Sequence, residues 1–261
     1  MTALIAFAII VVSLAVQAVF IIRRTRKPDP ATPWLLLASG VLLLATTVAR
    51  SVAISFVAIT SVYESLILLA GIACLALGVY RLRAGAEASR PFVFGGTFIA
   101  FLFLVLSSSP LAPSAVKPPV PALQSAWLVL HVACTFIGEA LFACGFVAAI
   151  LQLGSRDPAR RASYDRLTYT LVAIGYPLFT AGALVFGAIW AEAAWGRWWS
   201  WDPKETWALV TWLAYTAYLH LRLIQKRQSP LLPLLVVAGF LLALFTFLGV
   251  NFLLPGLHSY A

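Results

Sequence analysis

Apolar runs close to membrane-spanning length recur from one end of the chain to the other, and this repetition limits the fold more than any other feature. A helix needs about 20 mainly apolar residues to cross a hydrocarbon layer roughly 30 Å thick. Runs of that kind occupy residues 4–22, 34–49, 62–80, 92–106, 125–151, 167–189, 206–223 and 231–250, of which the second and fourth are short. Backbone amides and carbonyls in lipid must be satisfied within their own segment, so such runs are read as helices. The expectation is an all-α polytopic integral membrane protein with about eight transmembrane helices, forming a single membrane domain with short loops. Composition agrees, because 62% of the residues are hydrophobic and only 10% charged, against about a quarter charged in soluble chains.

The basic residues orient these helices. One set of loops and helix ends carries Arg23, Arg24, Arg26 and Lys27, then Arg81, Arg83 and Arg90, then Arg156, Arg160, Arg161 and Arg166, then Arg222, Lys226 and Arg227. The opposite set carries Arg50, Lys117, Arg197 and Lys204. The positive-inside rule places the richer set in the cytoplasm. Both termini and the segments 50–61, 107–124, 190–205 and 251–261 then face outward. The first apolar run is followed, not preceded, by basic residues, which is the reverse of a cleavable signal peptide; a retained first helix is expected. The net charge of +9 invites a nucleic-acid reading, but the charges lie in small clusters between spans, so no nucleic-acid partner is expected.

The cysteines exclude one chemistry. Cys74, Cys134 and Cys144 all lie in apolar runs, with no CxxC or CxxCH sequence, so no covalently attached c-type haem is expected. Cys134 and Cys144 lie about 15 Å apart along one helix, beyond the roughly 7 Å that a disulfide bridges.

Two outward segments stand out. Residues 107–124 contain Pro110, Pro113, Pro118, Pro119 and Pro121, which favours stiff, extended backbone. Residues 191–207 hold the string WGRWWSWDPKETW, in which Trp195, Trp198, Trp199, Trp201 and Trp207 make up five of the nine tryptophans. Two readings stand side by side: an aromatic belt at the membrane interface, and a platform of indole faces for a flat aromatic ligand. The order Asp202, Pro203, Glu205 also resembles a helix start, with Asp202 as N-cap and Glu205 completing a capping box. A cap does not preclude a binding role for Asp202.

There are three histidines. His131 falls near the outer end of the fifth span and His258 just beyond the outer end of the eighth. His220 lies about 20 Å down the seventh. A lone membrane histidine is either a hydrogen-bonded core residue or a functional one. Two histidines at one face, with a tryptophan-rich segment between them in sequence, fit a bis-imidazole haem site. Imidazole also suits zinc, but no cysteine or carboxylate cluster completes such a site.

The string at residues 195–207 resembles the WWD signature of the haem-handling proteins of cytochrome c biogenesis, and its continuation DPKETW is closest to the CcsA (ResC) branch. Tyr63-Glu64-Ser65, the sequence PALQS at residues 121–125, and the stretches GVN and LHSY near the C-terminus also resemble that branch. The similarity runs from about residue 62 onward, which separates an N-terminal region (1–61) from a cytochrome c assembly region (62–261). The resemblance implies that His131 and His258 ligate haem iron axially. It implies that His220 marks a second haem position within the membrane, and that Trp195, Gly196, Trp199, Trp201 and Asp202 hold the porphyrin plane. It further implies non-covalently bound haem b as the transferred substrate, a CcsB/ResB-like membrane partner, and apocytochrome c as acceptor. The location implied is a bacterial inner or thylakoid-type membrane, with the haem site on the periplasmic or lumenal side.

The expected function is haem delivery and presentation for attachment to CxxCH cysteines. The chain shows no nucleophile or general base of its own, so ligation activity belongs to the complex. Alternatives are a haem-transfer chaperone of the CcmC type, a HemX-like membrane regulator, and a conventional transporter, for which no inverted repeat is evident.

Overall fold

Polar caps and proline set where the helices begin. Ser61 accepts from the Glu64 amide while Glu64 reaches back to the Ser61 amide, opening a helix at Val62. Ser125 caps the fifth helix through the Trp127 amide, and Asp157 caps the sixth through Ala159, with Pro158 in the first turn. Such side chains satisfy amides that the first turn leaves without partners.

The protein is seen in a computed structural model that describes residues 1–23, 29–85, 89–224 and 229–254. Its elements are α1 (Thr2–Ile22), α2 (Thr32–Ile54), α3 (Val62–Ala84), α4 (Arg90–Ser107), α5 (Ala126–Gly154), α6 (Pro158–Trp195), α7 (Pro203–Ile224) and α8 (Leu231–Leu253), with a short 3₁₀ turn at Pro121–Leu123. No strand occurs among the described residues. Among the described residues, seven helices are long and apolar enough to cross a membrane. The other is α7, whose 22 residues reach about 33 Å but carry Lys204, Glu205, His220 and Arg222. The chain is therefore an all-helical, multi-pass membrane protein. Residues 113–120 are non-helical, as the prolines require.

Packing divides the chain into two compact units, Met1–Val120 and Pro121–Ala261. In the first, each helix lies on its sequence neighbour and α1 closes against α4. Small residues set the α2–α3 approach: a Cβ on Gly40 would lie 2.6 Å from Leu75 and 3.0 Å from the Gly71 carbonyl. At one end of this unit Arg50 donates to the buried Glu64 at 3.1 Å and to the Ser114 and Ala115 carbonyls, and covers the Tyr63 ring. That arginine ties the proline-rich segment to the start of α3. At the other end Arg81 donates to the Gly85 and Asp29 carbonyls.

In the second unit α5 packs against α6 and α8, and α7 against α8 and α6. Two helices are locally widened. α6 carries Pro177 and becomes π-helical over Thr180–Phe186; α8 becomes π-helical over Phe245–Gly249. Proline removes a rung of the hydrogen-bond ladder, and π turns leave carbonyls available to side chains. Neighbouring helices stitch these segments in place: Trp212 Nε1 donates to Thr180 Oγ1 at 3.0 Å, and the Thr211 and Thr246 hydroxyls share a bond of 3.2 Å.

α6 differs most from the sequence expectation. Its apolar run covers residues 167–189, whereas the helix extends over 38 residues. The extra turns are charged, with Arg160, Arg161, Asp165 and Arg166, and hydropathy does not register them. Asp165 is nevertheless 4% exposed. It accepts from Arg222 of α7 at 2.5 Å and from Gln152 of α5 at 3.1 Å, joining three helices at that end.

α5 and α6 meet at Gly182, where an added Cβ would stand 2.3 Å from the Thr135 amide nitrogen. Gly182→Ala is therefore expected to destabilise the protein by about 1–3 kcal/mol, the usual cost of overpacking, lowering the thermal midpoint followed by circular dichroism in detergent. Gly154→Ala, where a Cβ meets nothing within 4 Å, is expected to leave that midpoint unchanged.

Candidate functional site

His131 lies in the second turn of α5, facing the π segment of α6. Its Nδ1 sits 2.9 Å from the Gly182 carbonyl oxygen. A carbonyl only accepts, so the ring proton resides on Nδ1, and Nε2 carries the lone pair. The imidazole lies parallel to the Trp190 indole, with centroids 6.2 Å apart and planes 7° apart. A Cβ on Gly187 would approach His131 Nδ1 to 3.0 Å, so a glycine there leaves room for the ring. The five-residue interval between Gly182 and Gly187 is close to one π turn.

Trp190 anchors this wall. It is 1% exposed, packs with Leu123 and Leu128, and donates from Nε1 to the Ala122 carbonyl at 3.1 Å. The PALQS stretch thus acts as a brace for α6. Trp195 meets Trp190 edge-on at 6.2 Å.

The tryptophan segment follows without a break. Gly196 ends α6 in the left-handed region (φ 70°), where its amide bonds to the Glu192 carbonyl; glycine adopts that conformation without the penalty a Cβ brings. Glu205 then organises the loop from the far side. Its Oε2 accepts from the Ser200 amide at 2.8 Å and the Asp202 amide at 3.2 Å, while its carboxylate also accepts from the Ser200 hydroxyl. Asp202 accepts from the Lys204 amide at 3.0 Å, and its own carbonyl takes the first helical bond from Thr206. Asp202 caps α7 as expected, but its side chain reaches the second amide of the helix, at Lys204, and the reciprocal arm of the box is the Glu205 bond to the Asp202 amide; Asp202 is 6% exposed.

This loop has a cost at Trp201, a non-glycine residue held at φ 58°. A left-handed tryptophan stores about 1–3 kcal/mol of strain. The indole is turned outward: Trp201 is 67% exposed, as is its neighbour Trp198 at 58%. Trp199 stands edge-on to Trp201 at 5.7 Å. Trp195 and Trp199 turn their Nε1 atoms into the protein, where both are buried without a hydrogen-bond partner.

The structure thus brings His131, Trp195, Gly196, Trp199, Trp201 and Asp202 to one end of the second unit. His220 is elsewhere, exposed and four residues before the opposite end of α7. His258 lies outside the described residues. Cys134 and Cys144 form no disulfide. Sequence reasoning passed over Trp190, Gly182 and Gly187, for which the only signal is the glycine interval beside Pro177. A polar group also lies deeper in the unit. Lys204 is directed inward, donating from Nζ to Asn251 of α8 at 2.9 Å, and it interacts electrostatically with the buried Glu139 of α5.

Known proteins share this architecture and sequence. A family model described as "Cytochrome C assembly protein" matches residues 31–258. The cytochrome c biogenesis protein CcsA of Prochlorococcus marinus (strain MIT 9312) is 36% identical over 238 residues, covering 77% of this chain and 75% of that protein. CcsA of Heterosigma akashiwo (strain NIES-293 / 8280G21-1) is 34% identical over 254 residues, covering 79% and 77%. CcsA of Chlamydomonas reinhardtii is 41% identical over 162 residues, which are 59% of this chain but 46% of the algal protein. Among solved structures, the cytochrome c heme lyase CcmF superposes with a TM-score of 0.65 at 19% identity, over 95% of this chain and 46% of that one, a likeness of fold. With a family model spanning most of its length and CcsA relatives aligned over three quarters of theirs, the chain belongs to the cytochrome c assembly protein family.

Proposed function

We propose that this protein holds haem b and presents it, on the periplasmic or lumenal side of a bacterial inner or thylakoid-type membrane, for attachment to the CxxCH cysteines of apocytochrome c. It acts with a CcsB/ResB-like membrane partner. The observation that carries this reading is the hydrogen bond between His131 Nδ1 and the Gly182 carbonyl. Histidines that ligate metals characteristically donate their second ring nitrogen to a carbonyl or carboxylate, which fixes the tautomer and aims the other nitrogen at the metal.

The surroundings fit an iron porphyrin as substrate. Its flat apolar ring calls for aromatic faces, which the tryptophan segment supplies through Trp199 and the outward-turned Trp201. Its carboxylates call for donors. A buried donor without a partner costs about 1–3 kcal/mol. The indole N–H groups of Trp195 and Trp199 stand in that condition, and a bound acceptor relieves it. In this reading His258, from the chain that follows α8, supplies the second axial nitrogen. Two neutral imidazoles occupy both axial positions and limit oxygen chemistry at the iron. Release exchanges one of them for the histidine of the acceptor CxxCH, whose thiols then add across the haem vinyl groups, sulfur to one carbon and hydrogen to the other. His220, near the opposite end of α7, marks a second, entry-side position.

Two measurements test this. In the complex with its partner, His131→Gly and His258→Gly are each expected to convert a six-coordinate low-spin absorption spectrum into one restored by added imidazole, and to stop cytochrome maturation. A spectrum and maturation yield indifferent to both substitutions would remove the axial assignment. Trp201→Gly separates strain from binding: relief of the left-handed tryptophan is expected to stabilise the apoprotein by about 1 kcal/mol while haem retention falls. A variant that keeps full haem retention would show that the indole contributes nothing to binding.

A further inference from the structure

Both amides that flank Trp201 bond to one atom. Glu205 Oε2 accepts from the Ser200 amide at 2.8 Å and from the Asp202 amide at 3.2 Å, and the Ser200 hydroxyl donates to the same oxygen at 3.2 Å. Extended backbone sets amides two residues apart about 7 Å from one another, too far for a single oxygen to serve both. The chain between them has to curl. A left-handed residue next to a right-handed or turn residue supplies such a curl, and makes a concavity of amides that holds an anion. Trp201, at φ 58°, is the residue in between. Its own carbonyl is held in turn by the Thr206 hydroxyl at 3.3 Å. The group seated in the concavity is the protein's own carboxylate.

A helix start needs less than this. Asp202 already caps the Lys204 amide, and the Glu205 bond to the Asp202 amide returns the exchange; neither calls for a left-handed residue ahead of the cap. The bonds to Ser200 are the addition. With them comes a conformation that glycine or asparagine adopts at least cost, yet the position carries the largest of all side chains. The dihedrals of a residue fix the direction of its Cα–Cβ bond, so the curl also decides where the indole starts from. Trp201 is 67% exposed and meets Trp199 at 86° with centroids 5.7 Å apart, two indoles set as a corner. A strained residue that its neighbours over-determine marks a functional constraint more often than an accident of packing.

We propose that Glu205 is a positioning residue for haem: its carboxylate, seated on the Ser200 and Asp202 amides, imposes the left-handed conformation on Trp201 and so aims the indole that borders the porphyrin. The inference rests on the function proposed above, in which the tryptophan segment supplies aromatic faces to the ring. It concerns the porphyrin plane and not the iron, because His131 is held apart from this loop, by Gly182 and Trp190.

The test uses the full chain co-purified with its partner, with and without haem. Glu205→Ala is expected to speed haem release roughly two- to tenfold, the range that one aromatic contact carries, while the absorption spectrum keeps its wild-type form. In the haem-free complex it is expected to abolish the hydrogen-exchange protection of the Ser200 and Asp202 amides. Trp201→Gly, which accepts the left-handed conformation, is expected to keep that protection. The deciding measurement is the double variant. On the Trp201→Gly background, Glu205→Ala is expected to lower the thermal midpoint but to add nothing to the release rate, because the indole it positions is gone. Glu205→Gln, which keeps an acceptor oxygen without the charge, covers the case in which Glu205→Ala does not accumulate. Its release rate is expected to fall between the two, and its effect too is expected to vanish on the Trp201→Gly background. If Trp201→Gly alone speeds release but Glu205→Ala and Glu205→Gln leave the rate unchanged, this inference alone is overturned. A further acceleration in the double variant would overturn it equally, since Glu205 would then act on haem by another route. Haem retention indifferent to Trp201→Gly would remove the indole from the proposed site, and this inference with it.

Discussion

The second unit depends on how an imidazole is satisfied inside a bundle where water is scarce. In an ordinary α-helix every interior carbonyl is already engaged by the amide four residues on, so a side chain from a neighbouring helix finds little to bond. Widening α6 after Pro177 changes that supply. The π segment offers the Gly182 carbonyl to His131, and the glycines at 182 and 187 let α5 approach closely enough to use it. The ring orientation, the stack on Trp190 and the entry of α6 into the tryptophan segment all follow from this contact. The second π segment, in α8, is held to α7 by the Thr211–Thr246 bond, as the first is by Trp212 and Thr180. Both irregularities therefore sit in the half of the unit that carries the candidate site.

Polar residues elsewhere act chiefly as fasteners at helix ends. Arg50 with Glu64 secures the proline-rich segment to α3, and Asp165 with Arg222 and Gln152 secures α5, α6 and α7 at the basic end. Each charge has a partner of opposite sign or a carbonyl, as its surroundings of low polarity require. Between these ends aromatic and small-residue contacts are joined by hydroxyl and indole bonds such as Trp212–Thr180 and Thr211–Thr246, a mixture that suits a bundle whose surrounding solvent is as apolar as its interior.

Much of this was legible in the sequence, because the relevant signals are local. Length of apolar run identifies a spanning helix, and each of the eight helices covers the stretch expected of it to within one residue. Asp202, Pro203 and Glu205 announce a helix start within four residues, and proline spacing announces the extended segment. The remainder depends on neighbours distant in sequence. The charged first turns of α6 look like a loop until Arg222 and Gln152 are seen beside Asp165. Trp190 differs in no local respect from the exposed tryptophans, yet it is core. Lys204 reads as a surface charge because nothing nearby in sequence reveals Asn251. The packing boundary at Val120 has no composition shift to mark it beyond the prolines. Of the two histidines assigned as axial ligands, His131 is placed by the fold, and His258 lies outside the described residues.

The length of α6 has a mechanical corollary. Its 38 residues measure roughly 55 Å, and even the steepest tilt common among membrane helices, about 40°, leaves more than 40 Å along the bilayer normal. That exceeds the hydrocarbon by at least two helical turns. The surplus has to emerge among the headgroups, and the arginines of the first turns are suited to contact lipid phosphates there. α6 is thereby a spar moored in the polar layer at one end and bearing the indole loop at the other, with its π segment the natural point at which a strain applied to either end is taken up.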